Sequence, residues 1–367
     1  MSSPPASRPT GAMIADRYRV GRHVGDGRMG EVYVGKDLET NERVALKLLH
    51  KPLCAVEEQV ARFEREFRLT SQIDHPNVVR MLAFGKQQGG PLDERHYLVM
   101  EFLEGRGLDQ VLEGGPLPLP TVVHIGRQVA SALSAVHGQG VVHRDLKPGN
   151  IQVLHRGATP EVKVMDFGLG RLQGGDSEEL TDVGVRLGTA EYMSPEYIAH
   201  HRLDSRSDLY ALGAVLFQLL TGRPPYEGRT MRIMQDHVSA PVPRPSDYAD
   251  RAPDWFDELV MQLMEKEPED RPESAEVVAK VLSNHAETPT PKRRQRPSRG
   301  APANPSMAPA GLSSMSHLAG ESQPVYPEPK PAVPTTPLAI TMGLMLAGIL
   351  VMAMLGFVLG IGVLSLL

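Results

Sequence analysis

The chain contains little of what secreted proteins use for stability. Cys54 is the single cysteine among 367 residues, so no intramolecular disulfide can form, which fits a reducing compartment. A lone cysteine is more often a small packing residue than a reactive thiol. The N-terminus also lacks the apolar stretch of a secretory signal peptide. These absences argue against a secreted, disulfide-stabilised fold.

Positive charge is in deficit across residues 18–285, the part of the chain with globular composition. The whole chain has a net charge of −5, the first 17 residues have +1 and residues 286–337 have +3, which leaves −9 for residues 18–285. Nucleic acids bind basic protein surfaces because their backbones are polyanions. We therefore expect no nucleic-acid partner.

Two segments lack the large apolar side chains that a folded core requires. Residues 1–17 are rich in Ser, Pro and Ala, and we expect them to be disordered. Residues 286–337 hold twelve of the 32 prolines, and this composition predicts a disordered linker.

Charge is absent altogether from residues 338–367. This apolar run exceeds the roughly 20 residues of a membrane helix and the roughly 14 of a buried core helix. We predict one transmembrane helix over 338–360, with apolar sequence continuing to 367 and no extracytoplasmic domain after it. Five basic residues between 292 and 299 precede the run, so we expect residues 18–285 on the cytoplasmic side of the inner membrane. Gly356 and Gly360 have the spacing of a helix-dimer motif, which permits a homodimer.

The most informative sequence is the octapeptide His-Arg-Asp-Leu-Lys-Pro-Gly-Asn at 143–150. It places a carboxylate (Asp145), an ammonium group (Lys147) and an amide (Asn150) within six positions. Sixteen residues later the chain reads Asp-Phe-Gly from Asp166. Phosphoryl transfer to a hydroxyl requires a carboxylate for the proton, a lysine for phosphate charge and oxygen ligands for a divalent metal. The pattern therefore predicts phosphoryl transfer.

A glycine-rich segment with GxGxxG spacing occupies residues 25–30. A dinucleotide-binding fold requires a helix directly after such a segment. Here Glu31–Val34 alternate in polarity, which predicts a second strand. A strand-glycine-strand hairpin brings backbone amides close to phosphates. Further on, Val44–Leu49 predicts an apolar strand interrupted by Lys47, and residues 57–73 have helical composition.

Six such motifs, in this order and spacing, resemble those of eukaryotic-type (Hanks-type) protein kinases over residues 18–285. Lys147, two positions after Asp145, resembles the lysine that the serine/threonine branch has at this position. The motifs as a set resemble those of the bacterial members of that branch. The resemblance implies an α+β, bilobal fold with a β-rich N-lobe (18–103) and a mainly helical C-lobe (104–285). It also implies transfer of the ATP γ-phosphate, with Mg²⁺ or Mn²⁺, to Ser or Thr hydroxyls of protein substrates and of the chain itself.

The resemblance assigns the chemistry of transfer to four residues of the C-lobe. Asp145 is the expected base that orients the acceptor hydroxyl and takes its proton, and Lys147 neutralises the γ-phosphate. Asn150 and Asp166 are the expected metal ligands, because both offer the hard oxygen atoms that Mg²⁺ prefers.

The N-lobe and hinge supply the nucleotide contacts that the resemblance implies. Lys47 holds the α- and β-phosphates, with Glu66 as its expected ion-pair partner and Glu64 as the alternative. Gln152 stands where relatives carry an apolar floor residue; a polar floor alters nucleotide fit, or its amide turns aside. The other expected contacts are Gly25, Asp26, Gly27, Arg28, Met29 and Gly30 in the glycine-rich segment, Val32 and Ala45 in the roof, and Glu101 and Leu103 in the hinge.

An activation segment is expected between Asp166 and Glu196. It ends in Ser-Pro-Glu, where the family usually has Ala-Pro-Glu. The resemblance implies that Glu196 pairs with Arg271 and that Asp208 supports the backbone of the catalytic loop. The residues implied in regulation are Arg144 and Arg171 as a phosphate pocket, Thr181 as the leading phosphosite and Ser177 as the second. For Ser177, a plain acidic loop is an equally good interpretation.

Two other function classes share parts of this pattern. A membrane-tethered pseudokinase scaffold is expected to have lost Lys47, Asp145, Asn150 or Asp166, yet all four are present. A small-molecule phosphotransferase is expected to lack the Ser-Pro-Glu ending and its paired Arg271. The sequence therefore favours a protein kinase.

Overall fold

The computed structural model describes residues 9–27, 29–154, 159–167, 190–250 and 252–286. The predicted linker and the predicted membrane span lie outside these residues. Among the described residues, no helix combines the length and apolar character needed to cross a membrane.

The N-lobe of the described chain is built on a six-stranded antiparallel sheet in the order β1-β2-β3-β4-β6-β5. Helix α1 packs beside it, and a small sheet β7-β8-β9 follows the hinge. The strands are β1 (Met13–Ile14), β2 (Tyr18–Asp26), β3 (Gly30–Asp37), β4 (Arg43–Leu49), β5 (Met81–Lys86), β6 (His96–Glu101), β7 (Gly105–Gly107), β8 (Ile151–Leu154) and β9 (Glu161–Val164).

The C-lobe is helical in its described part, and two helices form its centre. Helix α3 buries one apolar face. Helix α5 is buried almost all round, as expected of a central core helix, and Asp204 and Ser207 form a capping box at its start. The helices of the described chain are α1 (Glu57–Thr70), α2 (Leu108–Leu112), α3 (Leu119–His137), α4 (Pro195–His200), α5 (Ser205–Thr221), α6 (Thr230–Ser239), α7 (Asp254–Leu263) and α8 (Ala275–Ala286).

Residues 9–17 differ from the disordered segment that their composition predicts. Backbone hydrogen bonds of 2.8 Å join Gly11 N to Val20 O and Val20 N to Ala12 O. Ile14 is fully buried in a cluster on the outer face of the sheet. The segment is ordered because it pairs with the free edge of β2, and edge pairing of this kind leaves no pattern in the composition of a short segment.

One apolar core runs through both lobes. Leu98 and Met100 of β6 belong to the same buried cluster as Val129 and Leu133 of α3 and Leu212 of α5. Because the core is continuous, the strand that carries Lys47 and the loops that follow α3 are fixed relative to each other.

A buried histidine joins α6 to α5. His237 is fully buried, and its Nδ1 lies 2.8 Å from the hydroxyl of Tyr210. Lys266 Nζ donates to the His237 carbonyl at 2.8 Å and to the Tyr226 hydroxyl at 3.0 Å. Burial and the nearby Lys266 lower the pKa of His237 from 6.5 to about 3.

This depressed pKa makes stability fall in acid. The unfolded chain protonates His237 below pH 6.5, whereas the folded chain keeps it neutral to about pH 3, so the contribution is complete above pH 6.5 and decreases below it. Between pH 7 and pH 5 we expect His237 to account for a loss of about 2 kcal/mol in the free energy of unfolding. Urea unfolding of the natural chain and of His237→Gln at both pH values measures this. Equal pH slopes for the two proteins would contradict it.

Candidate active site

Three charged side chains meet at the floor of the cleft between the lobes. Lys47 Nζ lies 3.1 Å from Glu66 Oε1 and 3.0 Å from Asp166 Oδ1. Lys47 comes from the centre of β4, Glu66 from the buried face of α1, and Asp166 from the segment after β9. Residues separated by 119 positions are thus held within one hydrogen-bonded group.

The partner of Lys47 is Glu66 and not Glu64. The side chain of Glu66 is 7% exposed, whereas Glu64 pairs with Arg68 one helical turn on. Burial lowers the pKa of Lys47, but the charges of Asp166 and Glu66 outweigh it and raise the pKa. Burial raises the pKa of Glu66, and Lys47 opposes this rise. The charge of Lys47 lowers the pKa of Asp166.

Asp208 holds the backbone of the predicted catalytic loop, residues 143–150, from below. Its Oδ2 accepts from His143 N at 2.8 Å and its Oδ1 accepts from Arg144 N at 2.9 Å. His137 lies 2.7 Å from the same carboxylate. The carboxylate holds the loop in a left-handed conformation at Arg144, where φ is 69°, a conformation that non-glycine residues adopt only when their surroundings enforce it.

The side chains of the catalytic loop converge on Asp145. Lys147 Nζ donates to Asp145 Oδ2 at 2.6 Å, and Asn150 Nδ2 donates to the Asp145 carbonyl at 2.7 Å. His143 is fully buried, donates from Nε2 to Met165 O at 3.1 Å, and has its pKa lowered by burial. A neutral, fixed His143 is a support for the loop and not an acid or base.

Two oxygen atoms beside Asp145 fit a divalent cation. The amide nitrogen of Asn150 is used by Asp145, and in the described part of the chain its amide oxygen has no hydrogen-bond partner. Asp166 keeps 41% of its side chain exposed while one of its oxygens contacts Lys47. Amide and carboxylate oxygens are hard ligands of the kind that Mg²⁺ takes, together with water and phosphate oxygens.

The glycine-rich segment is tied to the strand that carries Lys47. A Cβ on Gly30 would lie 2.2 Å from Leu48 O, so only glycine permits this approach. His50, one residue past the end of β4, donates from N to Met29 O at 2.8 Å and from Nε2 to Gly27 O at 3.0 Å. Nothing in the sequence pattern identifies His50, because both acceptors are backbone atoms.

The roof and the hinge lie on neighbouring strands. Val32 of β3 is half-buried and lies opposite Lys47, and Ala45 of β4 lies opposite Met100. Glu101, the first hinge residue, accepts at Oε1 from Lys163 Nζ at 2.7 Å. Lys163 lies in β9, three residues before Asp166. This half-buried ion pair therefore joins the hinge to the segment that carries Asp166.

Gln152 lies in β8 opposite Gly107 and Lys163. It is half-buried, and among the described residues its amide has no hydrogen-bond partner. Whether Gln152 alters the fit of the nucleotide or turns its amide aside therefore stays a prediction.

Comparison with known proteins identifies this arrangement. The family model for the protein kinase domain matches residues 18–282. Serine/threonine-protein kinase pkn3 of Myxococcus xanthus is 41% identical over 286 residues, which cover 75% of this chain and 51% of that protein. Serine/threonine-protein kinase PknB of Mycobacterium leprae is 36% identical over 282 residues, which cover 75% of this chain and 44% of that protein.

The chain belongs to the protein kinase family. Within that family it is a member of the bacterial, Hanks-type serine/threonine branch. A crystal structure of the PknI kinase domain of Mycobacterium tuberculosis resembles it with a TM-score of 0.57 and 25% identity, over 76% of this chain and 99% of that one. The chain spans about a third to a half of the length of the curated relatives it matches.

The Ser-Pro-Glu ending of this kinase is anchored by a buried ion pair. Arg271 Nη1 and Nη2 donate to the two oxygens of Glu196 at 2.9 and 2.7 Å, and the Arg271 side chain is fully buried. Ser207 Oγ adds a third hydrogen bond to Glu196, at 2.6 Å. The pair therefore joins α4 to the start of α5 and to the segment before α8.

A second arginine, which the sequence did not single out, lies near Arg144. Burial and the positive charge of Arg65, on α1, lower the pKa of Arg144. Asp208 opposes this lowering. The Arg144 Nε is buried, and within the described residues it has no hydrogen-bond partner. In the part of the chain that the structure describes, neither arginine side chain forms an ion pair with a carboxylate, and two such cations favour binding of an anion. The predicted residues Arg28, Arg171, Ser177 and Thr181 lie outside the described residues.

Proposed function

We propose that this kinase transfers the γ-phosphate of ATP to Ser or Thr hydroxyls of proteins, including its own. The observation that carries the proposal is the joined set Lys47–Glu66–Asp166, next to an Asp145 that contacts Lys147 and Asn150. A scaffold that only binds proteins has no need of this set. The resemblance to serine/threonine kinases supports the choice of acceptor.

In this mechanism the chain contributes mainly position and charge. Asp145 orients the acceptor hydroxyl and takes its proton as the new oxygen–phosphorus bond forms, while the bond from the γ-phosphorus to the bridging oxygen breaks and ADP leaves. Lys147 neutralises the charge of the transferred group, and Lys47 holds the α- and β-phosphates. Asn150 and Asp166 would hold Mg²⁺, which when bound neutralises phosphate charge.

A labelled-ATP assay on the full chain in neutral detergent tests the proposal. We expect incorporation of the γ-phosphate into the chain and into a Ser/Thr protein substrate, and mass spectrometry should find phosphoserine or phosphothreonine. Thermal shift with ATP and Mg²⁺ supplies a control for folding and binding. A folded chain that binds ATP without transferring phosphate would show the scaffold alternative to be correct.

Phosphorylation of the activation segment is proposed as the regulator, with Thr181 as the first candidate and Ser177 as the second. A phosphate of about −2 charge would lie in the predicted pocket of Arg144 and Arg171, with Arg65 as a further contact. Because Arg65 directly precedes Glu66, this contact would hold α1 in the position that pairs Glu66 with Lys47.

We therefore expect Arg65→Gln to lower the activity of the phosphorylated kinase about tenfold, through loss of one charge-assisted contact. The matched control is Arg68→Gln, an exposed arginine of the same helix, which should change little. In a Thr181→Ala background, which has no phosphate at the leading site, Arg65→Gln should also change little. An equal loss in both backgrounds would refute the link to phosphate.

Tethering to the inner membrane through residues 338–360 is also proposed, from the uncharged composition of 338–367. We expect the full chain to pellet with membranes, to resist a high-salt wash and to require detergent for release. A variant ending at residue 337 should be released without detergent. Release of the full chain by salt alone would rule out the anchor.

A further inference from the structure

Three exposed cations lie in cross-strand register on the N-lobe sheet. Arg19 of β2 is opposite Lys36 of β3, and Lys36 is opposite Arg43 of β4. Adjacent strands are about 4.8 Å apart, and like charges directly opposite each other destabilise a sheet. The three residues form a row of repelling charges that the fold itself does not require.

The row lines a cavity of about 360 Å³. Arg22 and Phe102 complete its polar and aromatic lining, and glycine backbone forms part of its wall. Arg43 lies two residues before Ala45 on the same strand, and alternate residues of a strand share a face. The row therefore shares a sheet face with the predicted adenine roof, and Phe102 places the cavity beside the hinge.

The charges of the cavity are poorly balanced. Arg43 contacts Glu104 at 2.8 Å, and its guanidinium lies 4.8 Å from the centre of the Phe102 ring. Across the described ranges, Arg19, Arg22 and Lys36 have no acidic partner. Four cations and one carboxylate concentrate positive charge in a domain that is acidic as a whole.

We propose that this cavity is an anion site for a ligand with two or more phosphoryl groups, separate from the site of phosphoryl transfer. Each phosphoryl group carries about −1.5 to −2 charges, so two of them match the excess of positive charge, whereas one carboxylate does not. The planar guanidinium forks of Arg19, Arg22 and Arg43 suit phosphate oxygens. Free polyphosphorylated molecules and phospholipid headgroups share this chemistry.

Lysine footprinting of the full chain in neutral detergent micelles tests the site without a substitution. The nucleotide site is first saturated with a non-hydrolysable ATP analogue and Mg²⁺, and acetylation of Lys36 is then followed by mass spectrometry. One arm adds tripolyphosphate, a second adds inorganic phosphate, and a third adds a phospholipid with two phosphoryl groups to the micelles. Lys280, exposed on α8, is the internal control.

We expect tripolyphosphate, the headgroup lipid or both to prevent acetylation of Lys36 and to leave Lys280 unaffected. Protection in only one of these arms identifies the source of the ligand and supports the site. Equal protection by inorganic phosphate would overturn the requirement for two phosphoryl groups. If neither tripolyphosphate nor the phospholipid with two phosphoryl groups protects Lys36, the proposal is overturned.

A double variant then locates the binding. We expect Arg19→Gln/Lys36→Gln to weaken calorimetric affinity for the protecting probe by about tenfold or more, since two charge-assisted contacts are lost. Arg244→Gln/Lys280→Gln removes two exposed charges elsewhere and should leave affinity within about twofold. Because the first variant relieves repulsion, its free energy of unfolding should not fall. Unchanged affinity in a stably folded Arg19→Gln/Lys36→Gln would contradict the assignment.

Discussion

Asp145→Asn should lower kcat by about 10²- to 10⁴-fold, the range attributed to a positioned general base. Asparagine keeps the size of the side chain and can still contact Lys147 and Asn150 through its amide oxygen, but it cannot take the proton of the hydroxyl. Nucleotide affinity and the free energy of unfolding should therefore stay close to those of the natural chain. Steady-state phosphorylation of a peptide substrate measures the loss.

Differences in autophosphorylation would obscure this comparison. Both proteins should first be treated with a phosphatase, so that the activation segment has the same state in each. Asp250→Asn, which alters an exposed carboxylate, is the matched control and should keep full activity. Retention of more than about a tenth of the natural kcat by Asp145→Asn would mean that Asp145 is not the base.

Arg271→Met should lower the free energy of unfolding by about 3–5 kcal/mol, as expected when one partner of a buried ion pair is removed. The substitution leaves the Glu196 carboxylate without its two strongest donors. Burial raises the pKa of Glu196, but the hydrogen bonds and charge of Arg271 bring it below 4.5. The contribution of the pair is therefore present above that pH and is lost as the pH falls. Urea unfolding at neutral and acidic pH measures both effects.

A second substitution separates the ion pair from general packing. Glu196→Gln/Arg271→Met should be more stable than Arg271→Met alone, because no unpaired charge stays buried. Arg223→Met, which breaks an exposed pair with Glu227, should cost less than about 1 kcal/mol. If the double variant were less stable than Arg271→Met, the charge would not be the reason for the loss.

The sequence predicted the residues whose chemistry is fixed by motif. Asp145, Asn150 and Asp166 lie within two short motifs of the sequence, and the family resemblance supplied the fold around them. The choice between Glu66 and Glu64 depended on which side of α1 faces β4. Side chains two positions apart on a helix point about 200° away from each other. Only one of the two glutamates can therefore face Lys47, and the RFxRE pattern indicated Glu66, which pairs with Lys47 in the structure.

Other features of the site depend on contacts that leave no local pattern. His50 binds two backbone carbonyls, and Glu101 binds Lys163 across 62 positions. The electrostatic effect of Arg65 on Arg144 depends on how α1 packs in the fold. Sequence periodicity identifies which face of a helix is buried, but it does not identify a side chain whose partner is a distant charge or a main-chain atom.

The position of His50 has a consequence for cooperativity within the N-lobe. The same residue that holds the glycine-rich segment also accepts, at its carbonyl, the 2.8 Å hydrogen bond of Leu53 N that begins the turn before α1. We therefore expect opening of the glycine-rich segment and loosening of this turn to be coupled through His50. A bound nucleotide that closes the glycine-rich segment is then expected also to slow hydrogen exchange at the start of α1.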